Sequence, residues 1–258
     1  MGFKNYMEET ARKIDEELEK ILLDFLNETK EINIKLLPFA LGFINACKNG
    51  KRIRGVLVRL GNEIAGGKES VEVYRASCAF EIMQTAILAH DDIIDQSETR
   101  RGRASLYKSI GANEAITLAD IGFFLANTLI DNSRAFNFFN KAMIKTGLGQ
   151  LLDINDSKSI QTYELKTAWY TFIAPLCVGA ILAGADQKKL EILEQFGKIL
   201  GVTYQIQDDI LDGDKQDKQQ KVPEYSSEAK KMIPKITDND KLRKLLEEMV
   251  GYLVQRSK

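Results

Sequence analysis

The chain predicts an all-α fold, a single large helical bundle, from three observations. Apolar residues recur at three- and four-residue spacing along most of its length, only four prolines interrupt them, and no stretch alternates as a half-buried strand does. With 258 residues, 44% hydrophobic and 28% charged, there is ample apolar material for a core.

The elements follow in order from that spacing and from its breaks. Helices are expected over 5–28 and 33–48, the second stopping at KNGKR, after which 51–66 begins. AGGKES separates that helix from 70–93. Further periodic stretches predict 112–130, 134–154, 161–184, 187–212 and 226–256. Short Gly-bearing breaks suit antiparallel neighbours in one bundle. No repeat, low-complexity tract or linker divides the chain, so 1–258 reads as one domain. Two polar runs stand out, NDSKSIQTY at 155–163 and GDKQDKQQKVPEYSS at 213–227.

Lys plus Arg and Asp plus Glu nearly cancel, leaving a formal charge of -1, so no overall field recruits nucleic acid or an anionic membrane. The apolar run FIAPLCVGAILAGA at 172–185 is too short to span a bilayer and contains Pro175, so no transmembrane segment is expected. The start, MGFKNYMEETARK, lacks the apolar core of a signal peptide. Cys47, Cys78 and Cys177 have no metal-ligand spacing, and their odd number suits a reducing compartment. The expected location is cytoplasmic.

Chemistry concentrates in AILAHDDIIDQSETRRG, residues 86–102. On a helix Asp91 and Asp95 share one face, where two carboxylates repel unless a cation lies between them. A single acidic pair of this kind is also what a solvated helix face carries. The spacing recurs, however, in QIQDDILDGD at 205–214, with Asp208, Asp209 and Asp212, again at the end of a long apolar helix. Two such clusters point to one mouth of a bundle, with hard oxygen ligands that suit Mg2+. Basic residues accompany them: Lys51 and Arg54 in GKRIRG, and Arg100 and Arg101 after the first cluster. Lys166 and Thr167 interrupt the apolar stretch ELKTAWYTF, and Gln84, Gln150, Asp153 and Gln205 also sit among apolar residues, where they need partners. Carboxylate-held metal plus Arg and Lys is what a diphosphate requires.

GKRIR, DDIIDQSETRRG, GQLLD, KT and YQIQDDILD, in this order, resemble the trans-type isoprenyl diphosphate synthases, the head-to-tail prenyltransferases of the polyprenyl synthetase family. The resemblance runs from about residue 40 to 214 and includes the tail from 226. It implies the isoprenoid synthase fold, all-α around a deep central cavity, together with a homodimer and Mg2+. It also implies that Asp91, Asp95 and Asp208 ligate metal, with Asp92, Asp209 and Asp212 in direct or water-mediated support. Lys51, Arg54, Gln84 and Arg101 would bind isopentenyl diphosphate, and Arg100, Lys166, Thr167 and Gln205 an allylic diphosphate. The sole histidine, His90, has no catalytic task in this scheme. A Gly-Lys element that follows the family's second DDxxD has no counterpart here, and a smaller shortfall falls between Asp153 and Lys166: either the chain is naturally trimmed, or mobile or missing loops lie near 213–224 and 154–160.

The implied reaction is ionisation of the allylic diphosphate, attack by the isopentenyl double bond and proton loss. Length control is expected beneath Asp91. Ala86 and Ile87 stand where family members that stop at fifteen carbons carry an aromatic, Met83 narrows the shaft one turn deeper, and Phe123 and Phe124 are candidates for a floor. Products of about twenty carbons or more, geranylgeranyl diphosphate or longer, are expected. A class I terpene cyclase, which also uses a DDxxD helix, and an accessory subunit of a heteromeric prenyl synthase are the alternatives.

Overall fold

The computed structural model describes residues 2–155, 159–211 and 221–255. Helix α1 (Phe3–Ile32) buries Ile14, Leu18, Ile21 and Leu22, one stripe at helical spacing. Its first N–H, that of Phe3, donates to Glu248 Oε2 near the other end of the chain at 2.6 Å. Helix α2 (Leu37–Cys47) has Pro38 in its first turn, where no donor is lost, and α3 (Ile53–Ile64) follows. Helix α4 (Val71–Ile94) is capped by the Ser70 hydroxyl, which accepts from the Val73 N–H, and it ends at Asp95.

A hairpin comes next: β1 (Thr99–Arg100) pairs antiparallel with β2 (Arg103–Ala104). Arg101 and Gly102 at its tip have φ of 53° and 72°, as a two-residue hairpin turn of matching twist demands. Helices α5 (Leu106–Ile110), α6 (Ala112–Asn127) and α7 (Ser133–Ile154) complete this half, with the Asn132 side chain capping α7.

Helix α8 (Ile160–Tyr163) runs into a ten-residue π-wound stretch, Glu164–Ile173, and then into α9 (Ala174–Leu182). The widened stretch lies between α7 and α10 (Gln187–Leu211), and glycine permits the close approach on both sides. A Cβ on Gly149 of α7 would fall 2.3 Å from the Lys166 backbone nitrogen, and one on Gly201 of α10 would fall 2.2 Å from the Ala168 Cβ. Two helices, α11 (Lys221–Ile236) and α12 (Asp240–Gln255), close the fold.

Helix α4 lies inside the bundle, contacting α1, α3, α6 and α9. The Phe80 and Phe139 rings lie 4.8 Å apart, and Gln150 Nε2 donates to Asp91 Oδ1 at 2.8 Å. Both pairs are 59 residues apart, so α4 and α7 run parallel in a single register. Helix α6 runs antiparallel to α4, with Phe123 against His90 at one end and the Thr128 carbonyl accepting from Arg75 at the other.

Three expectations are corrected. The last helix, expected as one rod over 226–256, begins at Lys221 and breaks after Ile236, because Asn239 turns its side chain back to accept the N–H groups of Lys241 and Leu242. The segment after the first aspartates forms short strands, although none was expected. The helix expected over 161–184 is wound in two ways rather than one. Residues Ile160–Leu182 are apolar and long enough to cross a membrane by length and composition, but 78% of that window is buried inside the bundle. Asp212 and most of the two expected loops lie outside the described residues.

Candidate active site

Asp91 and Asp95 project from the last turn of α4, with the Asp95 N–H bonded to the Asp91 carbonyl at 2.8 Å. Burial raises the Asp91 carboxyl above its ordinary pKa; Lys166 opposes this and the Asp95 charge adds to it. The two carboxylates therefore repel across one helical turn, and their hard oxygens fit a divalent cation such as Mg2+. Among the described residues no three Asp, Glu, His or Cys side chains converge into a ready-made metal cage. A cation held by these two carboxylates would take the rest of its shell from water or from substrate oxygens. Asp92 points the other way: it is 2% exposed and accepts from Arg100 Nε at 2.9 Å.

The widened stretch joins the two acidic clusters. Lys166 Nζ donates to Asp153 Oδ2 at 2.6 Å and lies 3.9 Å from Asp91 Oδ1. Burial works to lower the Lys166 pKa, but the Asp153 bond and the charges of Asp91 and Asp95 outweigh it and hold the ammonium protonated. The next side chain turns towards α10: Thr167 Oγ1 donates to Gln205 Oε1 at 2.7 Å, and Gln205 Nε2 donates to Asp209 Oδ1 at 3.0 Å. Tyr163 donates its hydroxyl to the other Asp209 oxygen. Asp208 is half-buried beside Asp209 on α10. Ten residues of wide helix thus bring together motifs that are more than a hundred positions apart in the chain.

Cations gather on the other flank of α4. Arg54, 9% exposed, lies over the Tyr170 ring at 4.1 Å from its centroid and donates to Thr171 Oγ1 at 2.8 Å. Its Nε is buried without a partner among the described residues. Arg101 donates to the Lys48 carbonyl at 3.2 Å. Its pKa is lowered, first by burial and then by the nearby Arg52, Arg54 and Arg100, with Glu81 opposing. Lys51 is exposed, and neither it nor Gln84 bonds to another described side chain. A cleft of about 370 Å3 on this flank is lined by Lys48, Asn49, Asp92, Arg100, Arg101 and Ser105 together with apolar residues such as Leu88 and Leu106.

An apolar cavity of about 500 Å3 descends from Asp91 and Lys166, walled by Met83, Ile87, Phe123, Asn127, Asn140 and Met143. Ile87 lies about 6 Å and Met83 about 12 Å below Asp91 along α4. The α4/α7 register sets Asn140 beside position 81, roughly 15 Å down, with the Phe80–Phe139 pair beneath. Two expectations are revised. Ala86 does not border this space; it is fully buried and faces Gly122 of α6, whose added Cβ would sit 3.2 Å from it. Phe124 is 72% exposed on the outer face of α6, and Phe123 stands near the mouth against His90 rather than at the floor. His90 Nε2 lies 3.5 Å from Asp120.

Sequence reasoning passed over Tyr163, Tyr170 and Thr171. Tyr170 and Thr171 belong to the same apolar stretch as Lys166 and Thr167, so their polar ends were the available signal, whereas Tyr163 closes the polar run at 155–163.

The polyprenyl synthetase family profile matches residues 42–251. A short chain isoprenyl diphosphate synthase of Methanocaldococcus jannaschii is 31% identical, over 95% of this chain and 78% of its own. A geranylgeranyl diphosphate synthase of Sulfolobus acidocaldarius is 28% identical, over 90% and 73%. Among solved structures, geranylgeranyl pyrophosphate synthase from Corynebacterium glutamicum, complexed with isoprenyl diphosphate and magnesium, superposes with a TM-score of 0.86 at 17% identity, over 99% of this chain and 100% of that one. Two acidic helix ends joined by a Lys-Thr pair above an apolar cavity are thus set in a chain that belongs to the polyprenyl synthetase family, the trans-prenyltransferases.

Proposed function

We propose that this prenyltransferase condenses isopentenyl diphosphate with an allylic diphosphate and releases an all-trans product of about twenty carbons. The single observation that carries the reading is the apolar cavity opening directly under Asp91 and Lys166, between an acidic mouth and a basic flank. Asp91, Asp95 and Asp208 would hold Mg2+, with Asp209 and Asp212 in support, while Asp92, turned away from them, fixes Arg100. Bound Mg2+ supplies positive charge to the diphosphate oxygens. Lys166, Thr167, Gln205 and Arg100 orient the allylic diphosphate. Lys166 offsets the charge that develops as the carbon–oxygen bond breaks.

Lys51, Arg54, Arg101 and Gln84 hold isopentenyl diphosphate on the opposite flank, so its double bond meets the allylic carbon over the cavity mouth. A new carbon–carbon bond forms, and the proton lost in restoring the alkene leaves with the released diphosphate. The apolar walls, Ile87, Met83 and Phe123, keep water from the carbocation.

Each five-carbon unit adds four skeletal bonds of about 1.5 Å, roughly 5 Å of extended chain. A twenty-carbon product keeps one unit at the reaction centre and needs about 15 Å for the other three, which matches the depth to Asn140. Ile116, Ile121 and Phe124 on α6, and Ile144, Leu148 and Leu151 on α7, are exposed apolar side chains that a second copy of the chain would cover. Incubation with labelled isopentenyl diphosphate and an allylic primer tests the reading. Chain growth to about twenty carbons is expected, whereas a cyclised hydrocarbon, or no turnover without a partner subunit, overturns it.

A further inference from the structure

Helix α3 begins without a cap of its own. Arg52 occupies the capping position in the left-handed region, with φ of 54° and ψ of 26°, and its side chain accepts nothing from the helix. The missing acceptor comes from another helix: Glu81 of α4, 3% exposed, takes the Gly55 N–H on Oε1 at 3.0 Å. Its second oxygen lies 3.5 Å from Arg52 Nη1, and Arg52, 4% exposed, also donates to Asp15 Oδ1 at 2.7 Å. The Ser77 hydroxyl, one turn before Glu81, donates to the Gly55 carbonyl at 3.0 Å. Two side chains of α4 therefore grip both polar groups of one residue at the start of α3.

The gripped turn carries Lys51 on one side of Arg52 and Arg54 on the other. A buried carboxylate there does two things. It satisfies an orphan donor that only a negatively charged or polar group can satisfy, and it neutralises Arg52, the more buried of the two arginines of the turn. Lys51 and Arg54 are left without a carboxylate partner among the described residues, open to a ligand. Glu81 also lies ten residues before Asp91 on the same helix, so the metal-side and the basic-side groups are referenced to one rigid rod.

We propose that Glu81 is a positioning residue for isopentenyl diphosphate: through Arg52 and the Gly55 N–H it fixes the turn that presents Lys51 and Arg54 to the diphosphate. This rests on the reading that those residues hold that substrate.

The test is a set of KM values for both substrates. Glu81→Gln keeps an acceptor for Gly55 but loses the charge facing Arg52. It is expected to raise the KM for isopentenyl diphosphate about tenfold, with the allylic KM and kcat changed by less than about threefold. Glu81→Asp keeps the charge on a shorter arm and is expected to raise the same KM by a smaller factor. A merely structural role moves both KM values and kcat together, and that pattern overturns the proposal, as does an unchanged isopentenyl KM. If Glu81→Gln is unfolded at the assay temperature, Glu81→Asp decides by the same criterion. Lys51→Ala is measured alongside. If it leaves the isopentenyl KM untouched, the assignment of the basic flank fails; if it raises that KM while the Glu81 variants do not, only the positioning role fails.

Discussion

Replacing Ile87 by Phe should shorten the product. Ile87 lines the cavity one turn, about 6 Å, below Asp91, and a side chain on a helix leans towards the N-terminus, which here is further down the shaft. A phenyl ring there leaves roughly 6–10 Å of depth, enough for one or two units beyond the one at the reaction centre at about 5 Å each. Products should fall from about twenty carbons to ten or fifteen. The first condensation should keep its rate within about threefold, because Asp91, Lys166 and the basic flank are untouched. The assay is chromatography of dephosphorylated products from labelled isopentenyl diphosphate, with geranyl and farnesyl primers compared. The farnesyl primer should become a poor substrate. Undiminished twenty-carbon product from Ile87→Phe would refute the claim that this cavity holds the growing chain.

Chelation of divalent cations should abolish turnover, and added Mg2+ should restore it; Asp91→Asn should lower kcat by more than about 100-fold while the circular dichroism stays helical, and near-normal turnover would remove Asp91 from the site. Gly149→Ala should destabilise by about 1–3 kcal/mol in thermal or denaturant unfolding, against the usual gain from Ala in a helix, because its Cβ would lie 2.3 Å from the Lys166 nitrogen; a rise in melting temperature contradicts that contact. Phe124→Asp places a charge on the exposed apolar face of α6 and should leave a monomer in sedimentation experiments, whereas an unchanged dimer would move the interface elsewhere.

The helical class, the order of the long helices and the two acidic clusters were legible in the sequence because they are local. A period of 3.6 residues sets which face is buried, and four-residue spacing puts Asp91 and Asp95 on one side of a turn whatever the helix packs against. The Lys-Thr pair was visible as polar groups in an apolar stretch. The break at Asn239 and the Arg101–Gly102 turn were also local, but they turn on the conformation of single residues, which a periodic pattern does not encode.

The remaining features depend on what crosses between helices. Ala86 and Ile87 are neighbours in sequence, yet one faces Gly122 and the other the cavity, because a helix turns by about 100° per residue and only the partner helix decides which direction is the shaft. Phe124, a candidate for the floor, lies outside for the same reason. Glu81, Tyr163 and Tyr170 gain their partners at separations of 26, 46 and 116 residues, so burial and tertiary contact, rather than spacing along the chain, decided what each of them touches.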